Sequence, residues 1–394
     1  MKTYFTILIV FFLFIISCKK EDKLTTAQSE FFIKYFGNSS YNESGDIKQT
    51  SDGGFIIIGT SGDGTSADIS LIKTDAWGNK EWSKSFGSSG EDVGKSVQLT
   101  SDGGYILLGT FSKSLTDNDM YLIKTDAMGK ESWNTKIGGI ANQEGACVQL
   151  TADGGYILAG STLTNNPGAT RDIFYVKTND KGDSLWSNTM TNSFLDYATY
   201  IRQRADGGYV LIGSSQKNTP KGTDIIVVET DETGSITGFS LFGGNSEDIG
   251  ESFQILADGS YLIIGSTSSF GNNASDIYLV KVKRSGDSFS TVWSKTFGGS
   301  LEDKGKNIMS TSDNGFIIIG STKSMGNGES DQYLIKISAD ATEQWSKTFG
   351  GVGNDEGNAI VQTTDGGYAI LGATQLGGNP MISLIKTNSS GGLK

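Results

Sequence analysis

The chain has 394 residues, with 54 Gly, 3 Pro, 2 Cys and no His. Without His there is no Ser-His-Asp triad, no Cys-His pair and no His-ligated zinc, and two Cys build neither a disulfide framework nor a four-Cys metal site. Lys+Arg minus Asp+Glu is 32 − 44 = −12, which argues against nucleic acid as a partner, and 36% hydrophobic with 19% charged residues is the composition of neither a disordered chain nor a polytopic membrane protein.

Met1-Lys2-Thr3 is a short basic start, and residues 4–16 form an unbroken apolar run. Thirteen residues fall short of the roughly 20 needed to span a bilayer but suit the apolar region of a secretory signal. The run ends Ile15-Ile16-Ser17-Cys18. This resembles a bacterial lipobox, with Ile15 in place of the usual Leu. The resemblance implies that residues 1–17 are a signal peptide and that Cys18 is acylated as the new N-terminus. Lys19-Lys20-Glu21-Asp22-Lys23 then resembles the charged tether of Bacteroidota lipoproteins. That implies a flexible link over 18–30 and an outer-membrane, surface-exposed location, while Lys19 in place of Asp argues against inner-membrane retention. Cleavage leaves a mature balance of 31 − 44 = −13.

From residue 31 the chain repeats. Asp-Gly-Gly or a close variant recurs at Asp52, Asp102, Asp153, Asp206, Asp258, Asp313 and Asp365, at intervals of 50, 51, 53, 52, 55 and 52 residues. The second unit shows the order: a strand over 95–100, a turn at Asp102-Gly103-Gly104, a strand over 105–110, a polar loop over 111–118, a strand over 119–125, a turn, and a strand over 132–137. Gly accepts positive φ and Asp bonds back to its own backbone, so each Asp-Gly-Gly between apolar runs predicts a hairpin. Tyr105-Ile106-Leu107-Leu108 and Phe316-Ile317-Ile318-Ile319 are continuous apolar runs, which predicts strands buried on both faces. Four-stranded sheets sandwiched between neighbours are propeller blades.

The last unit stops after its third strand, over 383–387. Phe32-Ile33-Lys34-Tyr35-Phe36-Gly37 lines up with the fourth-strand segment Trp82-Ser83-Lys84-Ser85-Phe86-Gly87. The N-terminal strand is therefore expected to complete the last blade, closing an all-β, seven-bladed propeller over residues 31–394. A closed ring needs no second copy, so a monomer is expected.

The repeat resembles a family of bacterial secreted and lipoprotein propellers built on D-G-G-Y-I-x-x-G and D-x-Y-L-I-K-T-D-x-x-G-x-x-x-W, over about residues 31–390. Its third-to-fourth-strand hairpin, as in Asp75-Ala76-Trp77-Gly78-Asn79-Lys80-Glu81-Trp82, is also similar to the tryptophan-docking repeat of quinoprotein dehydrogenases. Those usually have eight blades, and seven are counted here.

Several columns recur. Phe32, Trp82, Trp133, Trp186, Trp293 and Trp345 form an aromatic column, broken at Gly238; one Trp per repeat favours blade-to-blade packing over sugar stacking. Asn42, Asp92, Gln143, Asp196, Asp248, Asp303 and Asp355 precede the first strands, and Asp68, Asp119, Asp172, Asp224, Asp276 and Asp331 precede the third. Both loop types emerge on one face of a propeller. Asp92, Asp196, Asp248, Asp303 and Asp355 are accordingly the candidate ligand-binding residues, set against the local reading that each fixes its loop through backbone N–H bonds. Asp117-Asn118-Asp119 and Asn179–Asp183 are fragments of calcium loops without the complete pattern. No cofactor is expected, with calcium kept as the alternative. Lys73, Lys124, Lys177, Lys281, Lys336 and Lys386, replaced once by Glu229, suggest inter-blade ion pairs or snorkelling stems. Cys147 reads as a buried free thiol.

No catalytic residue stands out, because the adjacent carboxylates Glu91-Asp92, Glu247-Asp248 and Glu302-Asp303 recur with the repeat. The expected function is a lipid-anchored, non-enzymatic binding or scaffold module for a protein or polysaccharide. The alternatives are an enzyme acting on polysaccharide through carboxylates at the propeller mouth, and a quinone-cofactor dehydrogenase.

Overall fold

The computed structural model describes residues 30–37, 41–63, 66–114, 117–139, 141–163, 171–191, 195–216, 222–272 and 274–394. Cys18, the signal segment and the tether up to residue 29 lie outside them. The described residues form 28 strands in seven four-stranded antiparallel sheets. Six blades are continuous in sequence, over 41–86, 93–137, 142–190, 195–242, 248–297 and 303–349. Blade 7 takes three strands from 355–387 and its fourth from Phe32–Phe36, which pairs antiparallel with Asn379–Thr387 in the register Phe32↔Lys386 to Phe36↔Ile382. The expected ring closure is therefore present, residue for residue.

The Asp-Gly-Gly turns work as their chemistry requires. Gly53 sits at φ 83°, Asp52 accepts hydrogen bonds from Gly54 N (2.9 Å) and Thr50 Oγ1 (2.5 Å), and blades 2, 3 and 7 repeat this; Arg204 and Ser260 supply the side-chain donor in blades 4 and 5, and Asn314 takes the positive-φ place in blade 6. The second strands are the best-buried elements, as their continuous apolar runs predict: 105–108 and 316–319 are covered on both faces. The core is divided accordingly into seven apolar clusters, each at a seam between two blades. One expectation needs correction. The second-to-third-strand connections are shorter than their polarity suggests. In blade 2, Tyr105–Ser114 and Asp117–Thr125 pair through most of the segment read as a loop, because backbone pairing continues past the apolar residues.

The aromatic column is seam packing. Trp82, Trp133, Trp186 and Trp345 lie 6.2, 6.2, 5.6 and 5.9 Å from Tyr105, Tyr156, Tyr209 and Tyr368, each the first residue of the next blade's second strand. Each Trp also lies against a positive-φ glycine in the next blade's hairpin. A Cβ at Gly182 would stand 2.5 Å from the Trp133 ring, so only glycine fits there. Phe32 takes this role at the closing seam, over Gly78. At Gly238 the pattern changes. From third-strand Lys to fourth-strand Trp is 82 − 73 = 9 residues in blade 1 but 293 − 281 = 12 in blade 5. The longer hairpin brings Phe289 to 5.9 Å from Tyr261, filling the place of the missing Trp.

Candidate functional site

The repeated charges are engaged within the scaffold. Each third-strand Lys pairs with the Asp-Gly-Gly aspartate of its own blade: Lys73–Asp52 2.8 Å, Lys124–Asp102 2.8 Å, Lys177–Asp153 2.9 Å, Lys281–Asp258 2.9 Å, Lys336–Asp313 2.9 Å and Lys386–Asp365 2.7 Å. The expected inter-blade pair is thus an intra-blade one. The lysine stem runs along its hairpin toward the turn, and Nζ also caps a backbone carbonyl such as Thr74 O at 2.7 Å. Blade 4 exchanges the signs: Glu229 replaces the Lys, and Arg204, Arg284 and the Tyr261 hydroxyl converge on it.

Asp92, Asp196, Asp248, Asp303 and Asp355 are fully buried. Asp92 accepts Ser88 N (2.5 Å) and Ser112 N (2.8 Å); Asp248 accepts Gly244 N (2.7 Å), Ser269 Oγ (2.6 Å) and the Thr267 hydroxyl. Asp303 accepts Gly299 N (2.8 Å) and Asp355 accepts Gly351 N (2.7 Å). These bonds hold the loops that enter each blade. The second ring meets the first across the seams. Gly87, Gly243, Gly298 and Gly350 each sit between one aspartate of either ring: Asp68 and Asp92, Asp224 and Asp248, Asp276 and Asp303, Asp331 and Asp355. Burial, and then the charge of Asp303, pushes the Asp276 carboxyl above its usual range; burial and then Asp355 do the same to Asp331.

Among the described residues, no three acidic or Cys side chains converge as metal ligands. A seam offers two carboxylates, against the six to eight oxygens that calcium takes. Asn179–Asp183 is an ordinary turn, with Asn179 Oδ1 accepting Lys181 N and Asp183 N at 2.9 Å each. Cys147 is free and buried, and burial pushes its thiol up.

The accessible chemistry lies on the axis. Each first strand carries a β-bulge at the same step, after Ser44, Gly94, Gly145, Ala198, Gly250, Gly305 and Gly357. The bulged residues are Gly45, Lys95, Ala146, Thr199, Glu251, Lys306 and Asn358, and all seven line a central cavity of about 1250 Å³. A bulge re-aims a side chain, and here it turns one residue per blade to the axis, with a side chain in every blade but the first, where Gly45 stands. Glu43, Glu144, Tyr197 and Glu356 join them at the mouth, on the face of the second-to-third-strand loops. Charges pair there: Lys95 with Glu43 (3.9 Å), Lys306 with Glu251 (2.6 Å), and Arg171 with both oxygens of Glu144. Tyr41 donates to Glu43 at 2.6 Å, and burial with Glu43 and Glu91 drives its hydroxyl pKa far up. Burial disfavours charged Lys306, but Glu251 and Glu356 outweigh it and leave the amine strongly basic.

These mouth residues escape a search for repeated columns because they do not repeat. The signal was the reverse one. Three positions after the ring residues 42, 92, 143, 196, 248, 303 and 355 the sequence reads Gly, Lys, Ala, Thr, Glu, Lys, Asn, a variable column inside a regular strand.

No protein-family model matches the chain, and no curated protein matches it. Solved structures do. A Dyadobacter fermentans protein of unknown function is 10% identical with TM-score 0.52, covering 90% of this chain and 98% of its own. The WD40 domain of Neurospora crassa Pan2 is 10% identical with TM-score 0.54, covering 92% and 98%. Chaetomium thermophilum Sqt1, bound to the N-terminus of ribosomal protein L10, is 11% identical with TM-score 0.50, covering 90% and 98%. At this identity the likeness is one of fold. The chain is a seven-bladed β-propeller.

Proposed function

We propose that the protein is a lipid-anchored envelope propeller, a non-enzymatic module that binds a protein or polysaccharide through its loop face. One observation carries this reading. The repeated Lys, Asp and Trp columns are consumed by turns, loops and seams, whereas the residues that differ from blade to blade gather at one open, polar mouth. A rigid scaffold with its variation confined to one face is the usual arrangement of a recognition module. The Sqt1 complex supplies a precedent for a propeller holding a polypeptide. The apolar run over 4–16, Cys18 and the charged residues 19–23 support anchoring at the outer membrane. Phe32 enters the fold beside Lys386, at the Asp-Gly-Gly end of blade 7. The described chain therefore enters the fold on the face opposite the mouth.

Two measurements on intact cells test the reading. Labelled palmitate is expected to mark the outer-membrane protein and to be lost in Cys18→Ala. A photo-crosslinker in place of Asn327, exposed on the loop face, is expected to capture a protein or polysaccharide that the same group at Met128, on the opposite face, does not. Label retained in Cys18→Ala defeats the anchor; equal capture from both positions defeats the choice of face.

A further inference from the structure

The loop face is not uniform around the ring. On blades 5–7 five apolar side chains stand exposed on successive loops: Phe270, Leu301, Met325, Val352 and Leu376, with Val352 88% exposed. Their loops are fastened to one another. Leu301 N donates to Ser324 Oγ (3.0 Å), Lys323 N to Glu302 O (2.9 Å), and Gln375 N to Asn354 O (3.1 Å). Gly328 lies against Val352 so closely that a Cβ there would stand 2.6 Å from its carbonyl carbon. The apolar groups are therefore presented by a fixed rim, so little ordering entropy is lost when something covers them. Exposed apolar surface rimmed by polar groups marks an interaction site more often than it marks idle surface.

The charges around the arc indicate the occupant. Lys304 and Lys323 both pair with Glu302, and Lys306 pairs with Glu251. Glu329 and Glu356 are exposed, and among the described residues neither has a Lys or Arg within ion-pair distance; Glu329 keeps one oxygen free while the other accepts Asn354 Nδ2 at 2.7 Å. Three lysines thus face four carboxylates in this sector, a balance of 3 − 4 = −1, and the two carboxylates without a lysine contact are the exposed ones that an incoming cation would meet. The apolar groups are mostly aliphatic, and the one aromatic, Phe270, has its ring stacked on Tyr278 at 5.4 Å. Aliphatic groups beside open carboxylates suit side chains of the same kind flanked by cations better than they suit a sugar ring, which stacks on open aromatic faces.

We propose that this arc is the docking surface for a polypeptide segment carrying aliphatic side chains next to lysine or arginine, an inference that rests on the loop face being the binding face. The test is fluorescence anisotropy of the full chain in detergent, with empty micelles as reference. Three labelled twelve-residue peptides are compared, built of alternating Leu and Lys, Leu and Glu, or Ser and Lys. The Leu–Lys peptide is expected to bind at least tenfold more tightly than the other two. Leu301→Ser with Val352→Ser is expected to weaken it tenfold or more with the melting temperature unchanged, and Met128→Ser on the opposite face to leave it as in the parent. Equal binding of the three peptides, or full binding by the Leu301→Ser/Val352→Ser chain, overturns the proposal. Retention of a polysaccharide at the loop face without Leu–Lys binding also overturns it, while leaving the loop-face reading standing.

Discussion

Aspartate is held in two opposite ways in this protein. At the turns, the Thr311 hydroxyl and then Lys336 hold the Asp313 carboxyl at about 2. At the seams, burial and then Asp303 raise Asp276. The signs of the resulting pH effects follow. A turn aspartate with a depressed folded value stabilises the fold above its unfolded value of about 3.9, and that contribution is lost as pH falls toward 2. A seam aspartate with a raised folded value binds its proton more tightly when folded, so the fold gains as pH falls from above the folded value toward about 3.9. Asp276→Asn keeps an oxygen for Asn272 N, which donates to Asp276 at 2.7 Å, and removes one charge from the seam. It is expected to melt above the parent at pH 7, by a margin that shrinks toward pH 4. A margin constant over that range would mean that the seam charge costs nothing.

At the scale of the element, blade 5 departs from the repeat to repair its neighbour. Gly238 leaves the blade 4–5 seam without its Trp, and a Cβ there would lie 2.7 Å from Asp287 O, so the lengthened hairpin occupies the space. Phe289, buried against Tyr261 and fixed by Phe289 N donating to Ser240 Oγ at 2.8 Å, does the packing instead. Phe289→Ala is expected to destabilise by about 3 kcal/mol in urea unfolding, close to the cost of Trp133→Ala, because both empty the same kind of seam. A cost below about 1 kcal/mol would show that Gly238 marks a seam that needs no aromatic. The sequence made the broken column visible but not its repair, because Phe289 is out of step with the repeat and enters only through a three-residue insertion. The same limit hid the lysine partners. Lys73 and Asp52 are 21 residues apart, and only the hairpin register brings them together. What was legible was whatever local chemistry fixes: the Asp-Gly-Gly turns, the doubly buried second strands, and the identity of Phe32–Phe36 as a displaced fourth strand. The mouth was illegible because a bulge, a feature of pairing rather than of composition, selects which side chains reach the axis.

At the scale of the molecule, the ring depends on a strand that is distant in sequence from the blade it completes. Phe32–Phe36 buries Phe36 in the blade 7–1 seam, sets Phe32 over Gly78, and covers the third strand of blade 7. Removing residues 1–37 takes these contacts away together and leaves Asn379–Thr387 as an unpaired edge. Burial of the two Phe side chains alone is worth about 4 kcal/mol, and an open edge invites pairing with another chain. The shortened chain is therefore expected to melt well below the parent and to associate as its concentration rises. A peptide of residues 30–37 added in trans has the register to refill the gap. At 100 times its dissociation constant it is expected to return about 2.7 kcal/mol and to suppress the association. A shortened chain that melts with the parent and stays monomeric would mean that six blades and three strands suffice, and that the seam clusters rather than the closing strand hold the ring.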